Sequence, residues 1–306
     1  MHVSFVAVAL AVVVVSRGAA QSPVHLQLVD TALLRSPRLV ESSGVAASTR
    51  RAGVLWTHND GGDEARLYTT DSAGDDLGSV RVADARNVDW EDIAAGPCPS
   101  SASRCLFVAD IGDNRRSRDH VLIYRLAEPE PPTVASDTLR AVPLDAALSL
   151  RYPDHPHDAE AIMVDAAGRI FLVTKEIFSR PRLFQVPPRL VPQRPWETDT
   201  LRLVGQLDIA PDLLRLRAVT GAAVSPAGDV LVVRTYSSLH FFRMRGDSLP
   251  APLTSPGGVT IPFIEPQGEG VAFLSSDLLV LTSELGLAAA ATIARVRVVG
   301  LARQLP

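Results

Sequence analysis

Five segments of the chain repeat one short phrase, and repetition at this spacing limits the architecture more than any single residue does. They read ESSGVAA from Glu41, DWEDIAA from Asp89, DAEAIMV from Asp158, AVTGAAV from Ala218 and QGEGVAF from Gln267. Stacked, they give one column of Ser43, Glu91, Glu160, Thr220 and Glu269. After each phrase comes an apolar, strand-like run that ends in a second polar cluster: VLWTHND, CLFVADIGDN, IFLVTKE, VLVVRTY and LLVLTSE. Successive column positions lie roughly 50 to 70 residues apart, enough for one four-stranded sheet with variable loops. The two tails together supply about one more interval of this size. The repeat therefore closes on itself if HLQLVDTALL, from His25, completes a last sheet begun by VAFLSS, LLVLTSE and ATIARVRVV. The expected fold is all-β, a five-bladed β-propeller with an N-terminal strand closing the last blade.

In such a blade the first phrase is the innermost strand and the second run its antiparallel neighbour. The start of one strand then lies beside the end of the next. Both polar clusters should reach the same mouth of the central channel, with the column around the axis. Outside it lies a collar of His58, Asn59, Asp60, Asp110, Lys175, Glu176, Arg234, Tyr236 and Glu284. Three carboxylates converging on one axis raise one another's pKa or require a counter-ion. The column is all oxygen, without cysteine or histidine, which favours a hard cation over zinc or copper. Calcium fits best, because it accepts an irregular shell of about 6 to 8 oxygens where magnesium keeps a tight octahedron. The rival expectation is a ring of hydrogen bonds in which the glutamates tie neighbouring blades together.

The order Ser, Glu, Glu, Thr, Glu resembles the axial calcium ring of the calcium-activated nucleotidases (apyrases), where the pattern is Ser, Glu, Glu, Ser, Glu. The phrases ESSGVAA with LWTHND, DWEDIA, DAEAI and GEGVAF are similar too, and they also resemble those of secreted phytase-like and other bacterial propellers. The resemblance implies a propeller with an axial calcium held by Ser43, Glu91, Glu160, Thr220 and Glu269. Thr220 departs from the family's serine but keeps a hydroxyl. The collar does not match that family's nucleotide site residue by residue, so the substrate does not follow.

Residues 1–20 read as a signal peptide, with an apolar run from Val3 to Val15 too short to span a bilayer and small residues Gly18 and Ala20 before the expected cut. Residues 21–306 then form a single exported propeller domain, periplasmic or secreted, with no membrane span. Cys98 and Cys105 are the only cysteines and flank a short loop between two strands, which in an exported chain reads as a hairpin disulfide. The net charge of -4 and scattered basic residues argue against nucleic acid. Proline-rich EPEPPT and the stretch 186–196 read as loops between outer strands, LDIAPDLLRLR as room for one helical turn, and the chain as a monomer.

Lys175 is the only lysine in the chain. In the mouth it supplies a compact cation for a phosphate. Arg234, with Arg115 or Arg116, adds guanidinium forks. His58, Asp60 or Asp110 is the candidate general base. Pairing of these cations with Glu176, Glu284 or Asp113, and a purely structural His58, are the plain alternatives. His155 and His157 sit just before Glu160, and a metal there needs a third ligand that the sequence does not name. No GxSxG elbow, phosphate loop, HExxH helix or dinucleotide fingerprint occurs. Three functions remain: a calcium-dependent hydrolase of a small phosphorylated substrate, a non-catalytic binding propeller with a structural ion, and a glycosidase needing two carboxylates about 5 to 10 Å apart.

Overall fold

The computed structural model describes residues 24–99, 103–136, 139–188, 197–212, 214–244, 258–284, 291–301 and 305. The signal-peptide expectation, and most of the proline-rich stretch 186–196, lie outside the described residues. The chain forms five small sheets. The first blade holds β2 (Ser42–Ala47), β3 (Val54–Asn59), β4 (Arg66–Asp71) and β5 (Asp76–Val82), and the second β6 (Trp90–Pro97), β7 (Arg104–Asp110), β8 (Val121–Ala127) and β10 (Ala146–Arg151). The third holds β11 (Ala159–Val164), β12 (Ile170–Thr174), β13 (Arg182–Gln185) and β15 (Arg202–Gln206). The fourth holds β16 (Val219–Val224), β17 (Val230–Thr235), β18 (Ser238–Arg243) and β19 (Val259–Pro262). The fifth holds β20 (Gly268–Phe273), β21 (Leu278–Ser283), β22 (Thr292–Val299) and, on its outer edge, β1 (His25–Leu33).

The ring closes as the repeat requires. Strand β1 pairs antiparallel with β22, from His25 opposite Val299 to Leu33 opposite Thr292. The innermost strands pack in a circle, β2 on β6, β6 on β11, β11 on β16, β16 on β20, and β20 back on β2. Because each sheet is sandwiched between two others, its central strands are apolar on both faces, and β3, β11 and β12 are buried at every position. This is why the runs VLWTHN and IFLVT read as continuous apolar stretches instead of alternating ones. The apolar interior divides into five clusters, one in each cleft between blades. Trp56 and Leu67 meet Trp90 and Leu106 between the first and second blades, for example, and Val45 and Leu55 meet Ala272 and Val280 between the first and fifth.

Two excursions differ from the simple loops expected. After β8 the chain crosses back to the first blade, where β9 (Arg140–Val142) runs parallel to β5 and covers its edge. Strand β14 (Thr198–Thr200) does the same for β10. Covering an edge strand removes a site for unwanted pairing. The first excursion also carries Glu128, which is buried and accepts hydrogen bonds from Trp56 Nε1 (3.0 Å) and Ser48 Oγ (2.6 Å), clasping the second blade to the first. No α-helix forms among the described residues, and the LDIAPDLLRLR stretch makes turns there instead of a helical turn. No helix of the described residues is long and apolar enough to cross a membrane. Cys98 and Cys105 are joined across the β6–β7 hairpin with Cα atoms 5.1 Å apart.

Candidate functional site

All five innermost strands break register with their neighbours at the same place. The shifts fall between Ser42 and Val45, Trp90 and Asp92, Ala159 and Ala161, Val219 and Gly221, and Gly268 and Val271. Each break brackets a column residue, so Ser43, Glu91, Glu160, Thr220 and Glu269 all stand in β-bulges. A bulge leaves its extra residue out of the ladder and re-aims the side chain. The column is therefore a repeated feature of the backbone as well as of the sequence. All five residues are buried.

Their partners divide them in two. Ser43 Oγ donates to the Glu91 carbonyl (2.6 Å) and Thr220 Oγ1 to the Glu269 carbonyl (3.3 Å), each bond joining one blade to the next. Glu91 and Glu160 instead group with other carboxylates, while Glu269, expected as a ligand, joins neither group. Glu91, Asp158 and Glu160 place an oxygen each within 4.8 Å of one another, and so do Asp60, Asp89 and Glu91, making Glu91 common to both sets. Burial, then Glu160, Asp60 and Asp89, push Glu91 well above the usual carboxylate range. Burial outweighs the nearby Lys175 and lifts Glu160 to about 7. Glu269 is raised well above its ordinary value by burial and then by Glu160 and Glu284.

Asp89 and Asp158 are functional candidates that the column alone does not reveal. They lie two residues before Glu91 and Glu160, in a second column with Glu41, Ala218 and Gln267. A recurring backbone bond sets this column beside the collar: Asp60 N to Glu41 O, Gly112 N to Asp89 O, Lys175 N to Asp158 O and Glu284 N to Gln267 O, all 2.9 to 3.1 Å. The D-x-E spacing in DWE and DAE was the available signal. Gly61 and Gly112 close over the Asp89 carboxylate, and a Cβ on Gly112 would run into Glu91 Oε1 and Asp89 Oδ2. Burial, then Asp60 and Asp158, raise Asp89 to about 6.

The collar residues separate into those that face the mouth and those that support it. Lys175 Nζ donates to Glu160 Oε1 (2.8 Å) and lies 5.5 Å from the centre of the Tyr236 ring. Burial pulls its pKa down, but Glu160, Tyr236 and Glu269 together hold it above its ordinary value, so the ammonium stays charged. Glu284 is raised to about 7 by burial, Asp60 and Glu41. Asp60 is half-buried beside Asp89 and Glu91. The other three candidates lie inside the protein. Arg234, 2 % exposed, gives Nη1 to the carbonyls of Gly270 (2.7 Å) and Thr282 (2.9 Å) and Nη2 to Glu265 (2.6 Å), so its donors brace the fifth blade. His58 is fully buried, its ring edge against Trp90, with Nδ1 donating to the Asn59 carbonyl (2.9 Å) and burial lowering its pKa. Asp110 is fully buried, accepts from Asp89 N (3.2 Å) and pairs with Arg118 (2.9 Å). Arg116 pairs with Glu176 (3.1 Å).

Directly below the glutamates a further carboxylate plugs the channel. Asp92 Oδ1 accepts from Ile93 N (2.8 Å) and Oδ2 from Ile162 N in the third blade (3.0 Å), and the Ala222 amide of the fourth blade also bonds to it. The blade-tying role that the rival expectation gave to the glutamates is carried out by Asp92, Ser43 and Thr220.

The donor set suits a hard divalent cation: clustered carboxylates, two of them walled by glycines, with Lys175 bonded to only one of them, Glu160, among the described residues. Glu91, Asp158 and Glu160, with Asp60 and Asp89, are the residues that can hold it.

No protein-family model matches the chain, and no curated protein matches it. Among solved structures it is similar to the PQQ-bound form of aldose sugar dehydrogenase from Streptomyces coelicolor, at 15% identity over 92% of this chain and 100% of that one, with a TM-score of 0.50. A likeness at this identity carries the fold and not the cofactor or reaction of that enzyme. The chain is a five-bladed β-propeller with acidic groups at one channel mouth that can bind a metal ion.

Proposed function

We propose that this protein is an exported calcium-binding β-propeller that receives a small anionic ligand at the acidic mouth, with hydrolysis of a phosphoanhydride or phosphoester as its reaction. The observation that carries the reading is the pair of carboxylate triads sharing Glu91, each placing one oxygen per residue within 4.8 Å of the other two. Buried carboxylates in such number need a cation. Calcium there would neutralise the mouth and give an anionic phosphate, and the water that attacks it, a positive point of attachment.

The chain's own residues then take distinct roles. Glu91, Asp158 and Glu160 hold the ion from the second and third blades, and Asp60 and Asp89 from the first and second. Lys175, paired with Glu160 at the mouth, braces the ligand's charge. His58, Asp110 and Arg234 position the collar from behind. The Cys98–Cys105 disulfide is compatible with an oxidising compartment and supports export.

A second reading, a binding propeller without catalysis, is favoured by the rim. Val40, Val88, Phe178, Leu214 and Ile264 are exposed large apolar residues on segments at the mouth end of the five blades, one for each. An apolar rim around a charged well suits recognition of a ligand with an apolar body. Phosphate release from nucleoside di- and triphosphates and from simple phosphate esters, with calcium and with chelator, separates the two. Calcium-dependent release that Glu91→Gln abolishes in a folded protein supports hydrolysis. Calcium binding without release on any of these substrates leaves the binding reading.

A further inference from the structure

Outside the axial mouth, at the rim of the third blade, the structure supplies the ligand missing from the His155-Pro156-His157 motif. Asp154, His155 and His157 place one ligand atom each within 4.8 Å of one another. Asp154 Oδ1 lies 3.0 Å from His157 Nε2, and Asp154 Oδ2 lies 3.3 Å from His155 Nδ1. Ligand atoms at about 2.0 to 2.1 Å from a tetrahedral zinc stand roughly 3.3 Å apart; the two contacts run to different oxygens of Asp154, so the half-exposed His155 ring turns toward Oδ1 to complete the set.

A second observation points the same way. His157 is 1% exposed, wedged between Tyr152 and Phe184 with ring centres 4.9 and 5.3 Å away. Its Nδ1 makes no hydrogen bond, yet faces Glu176 Oε1 at 3.5 Å. A buried carboxylate behind the second nitrogen of an imidazole is the arrangement that orients metal-bound histidines and raises their basicity. Two arginines complete it. Arg182 holds Asp154 Oδ2 (2.7 Å) and Arg116 holds Glu176 Oε2 (3.1 Å), which leaves Asp154 Oδ1 and Glu176 Oε1 turned to His157.

We infer that Asp154, His155 and His157 form a binding site for a zinc-class divalent metal, with Glu176 as the carboxylate that orients His157. The two-nitrogen, one-oxygen set selects a borderline ion over calcium, unlike the all-oxygen mouth. The side chains of His155 and Asp154 are 55% and 38% exposed, so the metal has a path in and a fourth position open to water. The site does not depend on the proposed reaction at the mouth.

The test uses the full folded chain, stripped with chelator and then saturated with calcium so that the mouth is filled. Cobalt(II) is titrated and read by the visible absorption of a tetrahedral site, and zinc is then added as competitor. One cobalt per chain with a tetrahedral spectrum, displaced by zinc and not by calcium, is expected. His155→Ala, at a side chain 55% exposed, abolishes the spectrum while the fold is retained. Glu176→Gln weakens affinity by about 10- to 100-fold while keeping the stoichiometry. No tetrahedral spectrum, a spectrum unchanged in His155→Ala, or displacement by calcium overturns the assignment.

Discussion

The two ends of the central channel are built from the same five strands and have opposite character. At the end where the strands begin, the column is bulged, and Glu41, Asp60, Asp89, Glu91, Asp158, Glu160, Glu269 and Glu284 gather there, with Lys175 bonded to Glu160. At the other end the same strands continue regularly and line a cavity of about 240 Å3 with Ala46, Ala94, Met163, Ala223 and Phe273 among its walls. This end is a cavity left by five small-residue strands, mostly apolar, with Ser48, Thr49 and Arg104 also in its lining. The acidic end departs from regular pairing in every blade, and such departures concentrate where function overrides stability. Asp92 marks the boundary, a single carboxylate that takes backbone amides from three blades.

The sharpest way to break this contrast is to remove the plug. Asp92→Ala leaves the Ile162 and Ala222 amides buried and unpaired and should cost about 2 to 5 kcal/mol, read by urea unfolding. Asp92→Asn keeps one acceptor oxygen but turns an amide NH2 toward a backbone N–H, so it should recover only part of that loss. Full recovery in Asp92→Asn would mean that the two-oxygen bridge between blades is not what stabilises this end.

The acidic end should also set the pH dependence of the calcium-free protein. Glu160 and Glu284 stand at about 7 and Asp89 at about 6, against roughly 4 in an unfolded chain. The folded state therefore binds more protons between these values, and stability falls as pH rises. Melting temperature without calcium should drop from about pH 4 to pH 7, and saturating calcium should flatten the drop. A calcium-free profile that rises over this window contradicts the arrangement.

Lys175 sharpens the comparison further, because it competes for Glu160 with any bound ion. Lys175→Met should raise calcium affinity by about tenfold in a binding titration, since a like charge leaves the site. If the lysine is the sole counter-ion, the variant melts lower and calcium does not restore it. The smallest effect belongs to the far end. Ala94→Ser, in the apolar wall, should change stability by less than about 0.5 kcal/mol and leave calcium affinity unchanged.

Much of this was legible in the sequence, and the reasons are physical. A closed radial array forces equivalent residues into equivalent places, so stacking the phrases locates both the blades and the column. The N-terminal strand followed from the same closure, and the hairpin disulfide from two cysteines around one loop. The second column was equally present in DWE and DAE, but one carboxylate two residues before another carries no weight until bulges turn both to one mouth. Asp92 was hidden for the opposite reason: its amide partners come from Ile93, Ile162 and Ala222, and backbone donors leave no mark on composition. His58 and Arg234 fell at strand ends in the collar register, yet pleating turned them inward. Glu128 sits on a long excursion whose path no repeat encodes.

Melting of the wild-type protein and Glu91→Gln, with calcium and with chelator at neutral pH, tests the central claim most directly. Calcium at about 100 times its dissociation constant should raise the wild-type melting temperature by roughly 5 °C or more. Glu91→Gln, which loses the carboxylate common to both triads, should melt at one temperature in both conditions. A wild-type melting temperature indifferent to calcium and chelator would contradict the account.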